Sequence, residues 1–176
     1  AAGSSKQLGE LRSLVVATPQ QLEDLLTAWY INLSVRSNGV VIVKNGGTLA
    51  VGTGEQDRVG AVEKAVWKYE NKYAGPESIA GAAMASDAFF PFPDGVEVAA
   101  KAGVRAIIAP AGSIKDAAAI ARANELCVAF CHAPSLKLRT PCFAKMALGS
   151  PSLPWQGAQL LAKIFAASSA AAGAGV

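Results

Sequence analysis

Histidine is nearly absent: His132 stands alone in a chain of 176 residues. A two-histidine metal site is thereby excluded. The Cys-x-x-Cys and His-x-Glu spacings of a zinc deaminase are also missing, so no zinc is expected. Cysteine is scarce, and Cys127, Cys131 and Cys142 have no framework spacing. An odd number of thiols points to an intracellular, reducing compartment. No run of eighteen or more residues is strongly apolar, so no membrane-spanning helix is expected. Charge of one sign is lacking as well. The net charge is +3 without a basic cluster, and nucleic acid is not an expected partner. The opening "AAGSSKQLGEL" has no starting Met and no charged stretch followed by an apolar one. It does not read as an intact signal peptide; it reads as the remainder of a removed targeting segment or as a trimmed end.

The length suits one domain with a real core. Thr18-Pro19-Gln20-Gln21 has a capping residue, a proline suited to the first helical position and a capping-box partner. Leu22, Leu25, Leu26, Trp29, Tyr30 and Leu33 recur at helical spacing, predicting a helix over 19–35. The β-branched run from Val40 to Val43 predicts a buried strand. Asn45-Gly46-Gly47 then predicts a hairpin turn, with a strand returning from Thr48 to Val51. A helix follows, with Val59, Val62, Val66 and Trp67 on one face. Gly75-Pro76 breaks the chain. "AGAAMAS" predicts a short buried strand, 94–103 a short helix and "VRAIIAP" another strand. Ser113 is expected to cap the next helix with Asp116 as its capping-box partner. "LCVAFCH" is the last expected strand, placing Cys127 and Cys131 on one face as buried structural thiols.

Strands alternate with helices after the hairpin. The expected fold is α/β, with three α/β/α layers and a mixed sheet. The stretch after 132 is irregular, with four prolines before an Ala/Gly/Ser tail. That tail cannot build a core. The expected division is an N-terminal extension over 1–17, an α/β domain over 18–132, and a Pro-containing, partly helical extension with an Ala-rich tail over 133–176.

Ligands of open α/β sheets bind where strands end. Three loops qualify: "VRSNG" with "GTGEQDR", then "SDAFFPFPDG", then "APAGSIKD". Gly52-Thr53-Gly54 is either a close backbone approach to a ligand, with Gln56 and Arg58 beyond it, or an ordinary turn. Ser37 and Asn38 either hydrogen-bond a substrate or mark a helix stop. Gly112-Ser113 either binds an anion or simply caps a helix. Phe89, Phe90 and Phe92 cannot all enter one thin core. Pro91 and Pro93 stiffen their loop, and Asp94 either caps the next helix or accepts from a ring N–H. A stiff aromatic wall beside a carboxylate suits a planar heterocycle, although satellite packing gives the same pattern.

Taken together, "RSNGVVIVKNGGTLAVGTGEQDRVGAVEKA" and "ASDAFFPFPDGVEVAAKAGVRAIIAPAGSIKD" resemble the AICAR transformylase part of the bifunctional purine biosynthesis family. They resemble its second cytidine-deaminase-like subdomain, over roughly residues 18–131. The resemblance implies formyl transfer from 10-formyltetrahydrofolate to AICAR in IMP synthesis. It implies Asn38 near the formyl group, Arg58 in the nucleotide or active-site polar network, and Gln56 beside it as a substrate-binding residue. Phe89, Phe92 and Asp94 would surround the folate pterin, and Ser37 and Asp87 would stand near a potassium ion. By resemblance the compartment is cytoplasmic, with organellar import left open.

Three departures qualify these expectations. The family's catalytic Lys-His pair lies in the first subdomain, and this chain has no Lys-His dipeptide. Pro93 stands where the family has an arginine. After the last strand Arg139 is out of register with the family's phosphate arginine. Three readings therefore stay open. The first is a half-enzyme needing a Lys-His-bearing half from elsewhere, supplied by another chain or absent from this stretch, with a homo- or hetero-oligomer partner and folate and nucleotide ligands expected. The second is an inactive relative recruited as an accessory subunit. The third is a ligand sensor without turnover.

Overall fold

The computed structural model describes residues 12–133. The expectations for the Pro-containing stretch, the Ala-rich tail, Cys142 and Arg139 lie outside the described residues. The elements run α1 (Pro19–Asn32), β1 (Gly39–Lys44), β2 (Gly47–Thr53), α2 (Arg58–Lys72), β3 (Ala83–Ser86), α3 (Asp94–Ala102), β4 (Ala106–Pro110), α4 (Asp116–Glu125) and β5 (Ala129–Ala133). The strands form one sheet in the order β2-β1-β3-β4-β5. β1 is antiparallel to both its neighbours, and β3, β4 and β5 are parallel. Helix α1 covers one face, packing Leu25 and Ala28 against Val41, Val43, Ala85 and Ile108. Helices α2, α3 and α4 cover the other, around Ile42, Met84, Phe90, Ile107 and Phe130. This is the expected three-layer mixed-sheet architecture.

Local chemistry accounts for the elements. The Thr18 side chain accepts from the Gln21 N–H, and the Gln21 side chain accepts from the Thr18 N–H, so the capping box is complete. The helix ends at Asn32, earlier than the apolar spacing predicts. The β1–β2 turn has Asn45 and Gly46 both at positive φ, the backbone a two-residue hairpin loop requires. The buried Asp24 carboxylate accepts from both of their N–H groups, at 2.9 and 2.8 Å, and fastens the hairpin to α1.

Several expectations are corrected. The buried face of α2 is Arg58, Ala61, Val62 and Ala65; Trp67 points outward, with the Lys72 ammonium 5.6 Å from its ring. The reason is the close approach of β2. A Cβ on Gly52 would stand 1.9 Å from the Ala61 carbonyl oxygen. Only small residues fit there, so Gly52 serves packing rather than a ligand. Helix α4 starts at Asp116, later than expected. The Ser113 hydroxyl accepts from the Lys115 N–H at 3.0 Å, closing a turn ahead of the helix, and the Asp116 carboxylate accepts from the Gly112 N–H at 2.8 Å. Cys127 is not on the last strand. It is exposed at positive φ in the turn before β5. Cys131 is buried, which pushes its thiol up to about 11.

Replacing Gly52 with alanine should force β2 away from α2. We expect destabilisation on the order of 3 kcal/mol, read as a lowered urea midpoint. An unchanged midpoint would mean that the two elements are not in this contact.

Candidate functional site

The antiparallel placement of β1 decides where the loops meet. Gly39, at its start, pairs with Thr53 at the end of β2, and Val40 pairs with Ser86 at the end of β3. The loop after β4 leaves from the same end, because β4 is parallel to β3. All three loops singled out in the sequence therefore gather at one end of the sheet.

Arg58 joins the first two. Its Nη1 donates to Asp87 Oδ1 at 2.5 Å and to the Gly39 carbonyl at 3.3 Å. Its Nη2 donates to Asn38 Oδ1 at 2.8 Å. Asn38 Nδ2 in turn donates to the Glu55 carbonyl at 2.8 Å. Asp87 Oδ1 also accepts from the Gly39 N–H at 2.9 Å, and the Ser37 hydroxyl hydrogen-bonds the same carboxylate. The Ser37–Asn38 peptide is cis. Arg58 and Asp87 are buried, and Arg58 Nε has no hydrogen-bond partner among the described residues. Burial alone pushes the Asp87 carboxyl up. The hydrogen bonds from Ser37, Gly39 and Arg58, with the Arg58 charge, outweigh it and hold the group below its ordinary value.

This geometry places each expected site residue. Asn38, Arg58, Ser37 and Asp87 share one network. Gln56 is exposed and stands outside it. Arg58 is committed to Asp87 rather than presented to solvent. Ser37 and Asp87 do not fit a potassium ion in this arrangement. The carboxylate already meets a guanidinium and two neutral donors, and a further cation would be repelled by Arg58.

The phenylalanines divide. Phe90 is 1% exposed and packs edge-on to Phe130, whereas Phe89 and Phe92 are 41% and 51% exposed. Asp94 is the first helical residue rather than the cap. Its carboxylate accepts from the adjacent Gly95 N–H at 2.7 Å, and the cap position is held by Pro93. The Gly112 N–H, an anion donor in one expectation, is taken by Asp116. His132 is buried at the end of β5, edge-on to Phe130, with Nε2 4.0 Å from Asp116 Oδ2.

Residues 4–68 match the family model of the AICARFT/IMPCHase bienzyme. The bifunctional purine biosynthesis protein PurH of Magnetococcus marinus is 48% identical over 128 residues, which is 68% of this chain and 24% of that protein. This part of the chain is thus similar to the AICARFT/IMPCHase bienzyme family. The PurH of Trichodesmium erythraeum is 50% identical over 109 residues, 62% of this chain and 20% of that protein. The chain thus spans about a fifth to a quarter of the length of the curated bienzyme relatives it matches. A dCMP deaminase from the cyanophage S-TIM5 is similar in structure over 64% of this chain and 97% of its own, at 22% identity and a TM-score of 0.43, a likeness that carries no weight here.

What sequence reasoning missed is the pairing of Arg58 with Asp87. Nothing local signals it, because the two stand 29 positions apart. The only available signal was that both sit where strands end.

The lowered Asp87 value makes a pH prediction. Its contribution to stability is whole above the unfolded carboxyl value, about pH 4, and is lost as pH falls through the lower folded value. The gap in urea midpoint between wild type and Asp87→Asn should be constant from pH 7 to 5 and should shrink below pH 4. A gap that grows on acidification would contradict the ion pair.

Proposed function

We propose that residues 18–132 are the folate-side half of a formyltransferase. It would take part in formyl transfer from 10-formyltetrahydrofolate to AICAR in de novo purine synthesis. The observation that carries this reading is the clamped Asn38 amide. Arg58 holds its oxygen and the Glu55 carbonyl holds its nitrogen, at the sheet end that also presents Phe89 and Phe92. Two N–H bonds leave Asn38 Nδ2, and the Glu55 carbonyl accepts only one. The second is a fixed donor for the oxygen of a formyl group as charge builds on it. Arg58 acts as a positioning residue, because its bonds go to Asn38 and Asp87. Phe89 and Phe92 offer ring faces to a flat pterin, and the Asp94 carboxylate stands ready for its ring N–H groups.

In this reading the chain is not competent alone. A proton must leave the weakly basic amine during attack, and the Lys-His pair that would assist has no counterpart here. Losing such a group costs about two to four orders of magnitude. A half bearing the pair, from another chain or from further along the same protein, is therefore part of the proposal. A second reading is an inactive relative serving as an accessory subunit.

An assay for formyl transfer separates the two. We expect no turnover from the chain alone. Turnover should appear when the Lys-His-bearing first subdomain of a PurH relative is added. Asn38→Ala should then lower kcat about a hundredfold. Turnover that ignores Asn38→Ala would remove its role. No turnover in any mixture, with the chain folded, would favour the accessory subunit.

A further inference from the structure

Phe92 shows half its surface to solvent, yet one face of its ring is already covered. The Lys115 ammonium lies 4.4 Å from the ring centroid. Lys115 comes from a different loop, the one between β4 and α4. That loop is pinned at its backbone by the Ser113 hydroxyl and the Asp116 carboxylate. It also borders the other exposed ring: a Cβ on Gly112 would stand 4.0 Å from Phe89 Cδ1. The pinned loop thus reaches both exposed rings, while the Lys115 side chain is exposed. An exposed cation–π contact favours its closed arrangement by only about two- to fivefold. A flat ligand stacking on that face of Phe92 must first displace the ammonium. The displaced ammonium, on a flexible four-carbon stem, can then pair with an anionic group on the same ligand.

We infer that Lys115 is a specificity-determining residue of this aromatic site, selecting flat rings that carry a carboxylate tail over neutral flat rings. This rests on the folate reading above. A folate has a pterin to take the ring face and a glutamate tail to take the ammonium. A bare pterin displaces the ammonium and offers it nothing in return. Lys115 lies in the candidate loop "APAGSIKD", but the sequence gives it no role of its own.

The test is calorimetric binding of folic acid and of unsubstituted pterin to the full chain. The quantity read is the ratio of the two affinities, because loss of the ring contact affects both ligands alike. Lys115→Met should lower the folate-to-pterin ratio about fivefold, and Lys115→Arg should keep it within about twofold of wild type. Raising the salt concentration should lower the ratio in wild type and leave it unchanged in Lys115→Met. A ratio that Lys115→Met leaves unchanged, with both ligands bound, overturns the inference and spares the folate reading. If wild type binds neither ligand, the folate reading falls and the inference falls with it.

Discussion

The Arg58–Asp87 pair is the constraint on which the functional end of this molecule depends. Two charges are withdrawn from water there, which is tolerable only because each meets the other and further polar groups. Asp87 follows β3, Arg58 opens α2, and both bond to Gly39 at the start of β1. Three separate pieces of chain are held in register by one contact. Asn38 is positioned as a consequence, because the same guanidinium that neutralises Asp87 also holds the amide oxygen. Removing either partner would leave a buried charge unpaired, at a cost of about 3–5 kcal/mol.

The aromatic loop stands on that frame. Asp87 fixes its first residue, and Phe90 anchors its middle in the core beneath α2 and α3. A Cβ on Gly95 would lie 2.8 Å from the Phe90 ring, so the absence of a side chain there makes room for the anchor. With Phe90 turned inward, Phe89 and Phe92 are left outward. Exposing two large rings forgoes their burial, and a flat ligand would recover it. The loop is therefore a packing element and a surface at once.

Much of this was legible in the sequence wherever the signal is local. Thr18 with Gln21, Asn45-Gly46 and the β-branched run at Val40 each act within a few residues. The three loops at strand ends followed from the order of elements alone. What was not legible depends on distance or on space. Trp67 fits a helical stripe on paper, but the approach of Gly52 to Ala61 admits no large residue. Cys127 looks like part of a strand, yet the chain turns there at positive φ. Ser113 and Asp116 do bond backbone N–H groups, but those of a turn rather than of the helix. Asp24 reads as an ordinary helical surface residue and is instead the latch of the hairpin.

The most direct test of this account is a double-mutant cycle between Arg58→Leu and Asp87→Leu, read as unfolding free energy at neutral pH. The account predicts that each single variant is strongly destabilised, that the double variant is much less so than their sum, and that the coupling is about 2 kcal/mol or more. Additive effects would mean that the two side chains do not share this contact, and the frame built on them would be wrong.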